Sequence, residues 1–116
     1  FNTLRTQLPP MIRAGRGAIV VNAALSGLRG RPTVGLYSAA KAAALALAQV
    51  AAQEAGPHGV RVNAIAPGYV RSEAWNAILG PRADALAQGV PQRRIGTPEE
   101  VAETVLWLLG DGAAYV

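Results

Sequence analysis

The sequence predicts an α/β fold: a portion of a doubly wound parallel sheet, about two strands with three or more helices. Three observations predict it. Residues 18–21 and 60–66 are short, apolar and rich in β-branched side chains, the pattern of strands buried on both faces. Residues 36–55, between them, are dense in Ala and Leu and free of Gly and Pro, which makes the segment a strong helix former. The resulting order of helix, strand, helix, strand and helix joins parallel strands by right-handed crossovers.

Residues 1–13 place Leu4, Leu8, Met11 and Ile12 at helical spacing, interrupted by Pro9 and Pro10, and open without an N-cap, so the chain is expected to begin inside an element. Ala14-Gly15-Arg16-Gly17 reads as a turn into the first strand. A Gly-rich loop is predicted from about Leu25 to Gly35. Gly56-Pro57-His58-Gly59 stops the long helix, and Pro67-Gly68 ends the second strand. Residues 72–88 read as two short helices broken at Gly80-Pro81. Thr97-Pro98-Glu99-Glu100 sets an N-cap Thr, a Pro at the first helical position and a capping-box Glu ahead of the apolar residues 101–109. Two buried strands need neighbours at their sides and helices above and below, so residues 1–116 are expected to form part of something larger or to rely on a partner.

Composition narrows the function classes. Half of the 116 residues are apolar, no long charge run occurs, and no apolar stretch is expected to reach the length of a bilayer span. With no signal-peptide pattern, a cytoplasmic setting is expected, with no membrane partner. There is no Cys and only one His, His58, so no metal site is expected. The net charge of +4 comes from basic residues spread from Arg5 to Arg94 without a basic stripe, and no nucleic-acid partner is expected. Lys41 is the only lysine among eleven basic residues, a choice that asks for a chemical reason.

Tyr37 and Lys41 supply one. Four residues apart on the long helix, they lie on one face with Cβ atoms about 5–6 Å apart. An ammonium beside a phenol favours the phenolate, which suits the phenol to proton transfer with an alcohol or carbonyl oxygen.

Around this pair, Gly17-Ala18-Ile19-Val20-Val21-Asn22, Gly27-Leu28-Arg29-Gly30, Tyr37-Ser38-Ala39-Ala40-Lys41, Val60-Arg61-Val62-Asn63-Ala64-Ile65-Ala66-Pro67-Gly68-Tyr69-Val70-Arg71-Ser72 and Arg94-Ile95-Gly96-Thr97-Pro98-Glu99-Glu100 occur in order over essentially the whole chain. Together they resemble the classical short-chain dehydrogenase/reductase family. The resemblance implies the C-terminal portion of a Rossmann-like sheet: a partial domain at residues 1–116, without the nucleotide-binding half and the last strand. It implies an oxidoreductase that uses NAD or NADP to interconvert a secondary alcohol and a ketone. Tyr37 looks like the catalytic acid/base, and Lys41 like the residue that favours its phenolate and holds the nicotinamide ribose. Pro67, Gly68, Val70 and Ser72 resemble the loop that lines the nicotinamide, with Ser72 in place of the commoner Thr. Asn63 resembles a structural Asn that ties loops together. The helix at residues 38–55 resembles the family's subunit interface and implies a homo-oligomer.

Two departures qualify these expectations. The family's Ser thirteen residues before the Tyr is here Ala24; Ser26 or Ser38 could replace it only if the loop were rebuilt. Gly27-Leu28-Arg29-Gly30 leads into a loop and Pro32, not directly into a helix N-terminus that could hold a pyrophosphate, so the chain alone is expected to bind a dinucleotide poorly. The competing reading is an inactive or truncated relative acting as an interaction module through the Ala-rich helix. Lyase or epimerase chemistry, run by related extended families with the same Tyr and Lys, fits the tight strand-to-Tyr spacing less well. Trp75, Ile78 and Leu79 suggest an apolar lid over the substrate, and the same pattern fits a plain amphipathic helix equally well.

Overall fold

The structure, a computed structural model, describes every residue except 74, 76, 78, 79 and 81. Helix α1 (Asn2–Ala14), strand β1 (Gly17–Asn22), the single turn α2 (Leu25–Leu28), helix α3 (Gly35–Ala55), strand β2 (Val60–Ile65), and helices α4 (Arg82–Ala87) and α5 (Pro98–Leu109) follow in order. The strands pair in parallel, Gly17 opposite Val60 and Asn22 opposite Ile65. Alternation then decides which side chains share a face. Val60, Val62 and Ile19 pack under α1 and α3 with Ala48, Ala51 and Ala55. On the opposite face Arg61 reaches the end of α5, donating to the carbonyls of Leu108 at 2.7 Å and Gly110 at 3.0 Å. It thereby satisfies carbonyls that a helix C-terminus leaves free. Helices thus cover both faces of the pair, as the sequence predicts for a doubly wound sheet.

Three expectations change in detail. Helix α1 runs through Pro9 and Pro10 instead of breaking there. Each Pro removes one helical hydrogen bond, and the helix continues because Leu4, Leu8, Met11 and Ile12 on one side of it pack against the core. The predicted Gly-rich loop begins with the helical turn α2. Gly27 makes this possible: a Cβ there would lie 2.7 Å from the carbonyl carbon of Lys41, so only Gly lets α2 sit this close to the α3 backbone. Finally, the stretch Gly35–His58 is, by length and composition alone, long and apolar enough to cross a membrane. That corrects the expectation of no such stretch. The same alanines that raise its hydropathy let it lie flat on β2, where Ala48, Ala51 and Ala55 are buried.

The caps conform to the sequence. Gly59 takes the left-handed conformation at φ 75° after a 3-10 turn, and Thr97 and Glu100 form the reciprocal capping box of α5. In the segment at 72–88, Glu73, Trp75 and Ala77 have helical backbone, Gly80 turns at φ 43°, and α4 follows. Ile78, Leu79 and Pro81 lie outside the described residues, so two of the three lid residues have no structural account. Asn63 donates to the carbonyl of Val116 at 2.9 Å, a tie between β2 and the end of the chain.

Candidate active site

The parallel pairing continues past the strand ends: the Ala23 N–H donates to the Ile65 carbonyl and the Leu25 N–H to the Pro67 carbonyl, both at 2.9 Å. Ala24 is therefore held beside Pro67-Gly68 at the carboxyl ends of the strands, where open α/β sheets bind ligands. Helix α3 enters from the other side. Its Lys41 ammonium donates to the Asn22 carbonyl at 3.1 Å, which fixes it against the end of β1. One turn earlier, the Tyr37 ring lies with its centroid 5.7 Å from that ammonium. Tyr37 is 51% exposed, and its hydroxyl has no partner among the described residues.

An open cavity of about 670 Å³ results. All six residues nominated from the sequence line it: Tyr37, Lys41, Pro67, Gly68, Val70 and Ser72. The Ser72 hydroxyl accepts from the Trp75 backbone N–H at 3.2 Å, capping the next helical segment, and this leaves its own proton free to donate. The donor set suits the nicotinamide-ribose end of a dinucleotide: an anchored ammonium, a hydroxyl proton and an apolar floor at Pro67 and Val70. Nothing is packed within 4 Å of where a Gly68 side chain would begin, so a flat ring can approach the backbone there. No comparable cradle for a pyrophosphate occurs among the described residues.

Comparison with known proteins identifies the family and the fold. A sequence-family model described as Enoyl-(Acyl carrier protein) reductase matches residues 1–116. The 3-oxoacyl-(acyl-carrier-protein) reductase FabG of Chlamydia trachomatis serovar D is 35% identical over 116 residues, 100% of this chain and 47% of that protein. Among solved structures, the 3-oxoacyl-(acyl-carrier protein) reductase from Brucella melitensis superposes with TM-score 0.93 at 34% identity, over 100% of this chain and 44% of that one. An NAD+-bound xylitol dehydrogenase superposes with TM-score 0.92 at 30% identity, over 100% of this chain and 51% of that one. The chain belongs to the classical short-chain dehydrogenase/reductase family. It spans about half the length of the curated relatives it matches.

Against the family pattern, the site of this short-chain dehydrogenase/reductase has one gap and one unexpected wall. The gap is Ala24, which lines the cavity with a methyl group where the family has a hydroxyl. Ser26 and Ser38 do not fill it. Both are buried, neither lines the cavity, and their hydroxyl oxygens have no partner among the described residues. The wall is α5, whose Val101, Ala102 and Val105 face the cavity opposite α3, joined by Trp75. Val101 and Val105 stand one turn apart, and the sequence marks them only as members of an apolar run, because an apolar stripe looks the same toward a core or a cavity.

The entry to α5 is fixed electrostatically. Arg94 donates to a Glu100 carboxylate oxygen at 2.8 Å, and the Thr97 N–H donates to the same oxygen, also at 2.8 Å. The Arg94 hydrogen bond, then the Thr97 backbone bond, hold the Glu100 carboxyl down to about 2. Because the folded value lies below the ordinary 4.5, the stabilisation is complete above the unfolded value and is lost as pH falls through the folded one. We expect α5 to keep its N-terminal anchor from neutral pH down to about pH 4 and to loosen toward pH 2. Glu100→Gln should remove this acid transition, as read from amide exchange at Thr97 and Glu100 in the complete protein; an unchanged acid profile would refute the assignment.

Proposed function

We propose that the complete protein is an NAD(P)-dependent oxidoreductase that interconverts a secondary alcohol and a ketone, with residues 1–116 as the catalytic part of a larger domain. The observation that carries this reading is the meeting of Tyr37 and the anchored Lys41 in one cavity with the Pro67–Ser72 loop. The nicotinamide, when bound, supplies the acceptor or donor for the hydride. Tyr37 serves the other half of the balance, taking the proton from the alcohol oxygen during oxidation and returning one to the carbonyl oxygen during reduction. The Lys41 ammonium, anchored on the Asn22 carbonyl, holds the nicotinamide ribose. Ser72 donates to the carboxamide, Pro67 and Val70 support the ring, and Gly68 keeps the approach clear. We place the protein in the cytoplasm, where a diffusible nicotinamide is recycled.

The alternative of an interaction module has its own support. Along α3, Leu36 is 88% and Val50 52% exposed, and Ala39, Ala40 and Ala43 are exposed beside them. Small residues let a second helix approach closely. We assign this face to a homo-oligomer interface, which is compatible with catalysis. The test is nicotinamide absorbance with a panel of small ketones, alongside light scattering, on the complete protein. Turnover by an oligomer is expected; a well-folded oligomer that neither binds the cofactor nor turns over any ketone would leave only the module.

A further inference from the structure

Two walls of the cavity are joined by one short bridge. Val70 and Ser72 line it from the loop after β2, and Pro98 and Val101 line it from α5. Gly96 lies beside Val70 in a parallel bridge: the Gly96 N–H donates to the Tyr69 carbonyl at 3.0 Å, and the Arg71 N–H donates to the Gly96 carbonyl at 2.8 Å. These two bonds fix the backbone on both sides of Val70. The effect reaches further, because the Tyr69 ring packs on the Trp75 ring with centroids 5.0 Å apart, in a stack completed by the Arg31 guanidinium, 4.9 Å from the Tyr69 centroid. Trp75 in turn donates its backbone N–H to the Ser72 hydroxyl. The position of Gly96 is therefore felt at Ser72.

Gly96 is itself enclosed by an ion pair. Arg94 precedes it and Glu100 follows it, and their side chains close a clasp: one guanidinium nitrogen donates to Glu100 Oε2 at 2.8 Å and the other donates to Oε1. Oε2 also accepts from the Thr97 N–H at 2.8 Å. It lies 3.5 Å from the point where a Gly96 side chain would begin, and the Tyr69 carbonyl oxygen lies 3.6 Å from the same point. The carboxylate thus rests against the bridge. Arg94 approaches from a fixed direction, since Arg93 turns the chain in the left-handed region at φ 56°, with its N–H donating to the Val90 carbonyl at 2.8 Å. An exposed ion pair adds little to global stability, and a left-handed residue other than Gly detracts from it. A guanidinium and a carboxylate that meet through two parallel bonds do fix geometry, because both groups are planar. What the clasp supplies is position.

We propose that Arg94 and Glu100 are positioning residues for the nicotinamide-facing loop: their ion pair holds Gly96 where it fixes Val70 and, through Tyr69 and Trp75, the Ser72 hydroxyl. The proposal rests on the oxidoreductase reading for the identity of the ligand, and on the bridge alone for the coupling. Neither residue lines the cavity, so their influence on binding passes through the loop. Opening the clasp displaces the donor assigned to the carboxamide, whereas the ribose contact of Lys41, built on α3 and the end of β1, stays in place.

The test uses the complete protein and compares NADH and NADPH with ADP-ribose and 2′-phospho-ADP-ribose, which lack the nicotinamide ring and its carboxamide, by calorimetry. Arg94→Met opens the clasp and leaves the Thr97–Glu100 capping box whole. It should weaken the preferred dinucleotide by about threefold to tenfold, as the loss of one hydrogen bond does, and leave the matching ADP-ribose unchanged. Arg94→Lys keeps the charge without the planar fork and should recover part of the loss. Thr97→Ala is the control for stability: it removes the side-chain cap of α5, should lower Tm, and should leave both ligands bound as before. Equal weakening of dinucleotide and ADP-ribose by Arg94→Met, no weakening of either, or the same selective loss in Thr97→Ala would overturn the proposal. A second readout needs no ligand. Amide exchange at Arg71 and Gly96 should become faster in Arg94→Met, and unchanged exchange at both would equally overturn the proposal. Faster exchange there, in a protein whose wild type binds no dinucleotide, would sustain the positioning role while the oxidoreductase reading failed.

Discussion

Tyr37→Phe in the complete protein is expected to lower turnover by about a thousandfold or more while leaving cofactor affinity nearly unchanged. Removing the hydroxyl deletes the group assigned to proton transfer, a contribution that typically spans about a hundredfold to ten-thousandfold. The ring remains, and so does the packing of α3. Tyr37 is half exposed and its hydroxyl has no partner among the described residues, so the substitution leaves no buried group unsatisfied. Lys41→Ala should behave differently. It removes the charge beside the phenol and the ammonium anchored on the Asn22 carbonyl, so both kcat and cofactor affinity should fall. Steady-state kinetics combined with nicotinamide binding by calorimetry separate the two patterns. Normal turnover by Tyr37→Phe would remove the chemical basis of the proposed activity.

The proposed catalytic pair, Tyr37 and Lys41, could be read from the sequence because both residues sit within one helical turn, where spacing alone fixes their relation. The loop at Pro67–Ser72 was accessible through its resemblance to a known pattern, and the strands and α5 through periodicity and caps that act over a few residues. What escaped the sequence depends on longer range. That α1 survives Pro9 and Pro10 depends on the packing of Leu4, Leu8, Met11 and Ile12 against α3 and the strands. The docking of α2 depends on a missing Cβ at Gly27 meeting backbone fourteen residues later. The Arg31–Tyr69–Trp75 stack joins two loops that only the pairing of β1 with β2 brings together. Neither the α5 wall nor the burial of Ser26 has a local signature, since both are set by which way a short helix faces once the sheet has formed.

That burial sharpens the expectation for Ala24. Were Ser26 a substitute for the missing hydroxyl, it would face the cavity; instead it is buried outside it, so Ser26→Ala should leave the rate unchanged. Ala24 is the N-cap of α2, with extended backbone at φ −166° and no side-chain cap. A serine there suits both roles at once. Its oxygen can accept from a free N–H of α2, and with the oxygen so engaged its proton is left to donate toward a substrate oxygen beside Tyr37. Supplying one absent donor to a developing oxyanion is expected to raise the rate by about a hundredfold to a thousandfold. The gain should appear equally in kcat and kcat/KM, since the bond strengthens only in the transition state. The cap should add about 1 kcal/mol of stability, which by itself would not change the rate. Ala24→Asp separates the effects, because a carboxylate caps the helix but has no proton to give: it should match the stability gain of Ala24→Ser and show none of its acceleration. A wild-type protein that already turns over as fast as Ala24→Ser, with Ser26→Ala slow, would show that the α2 segment rearranges when substrate binds and presents Ser26 to the reacting oxygen.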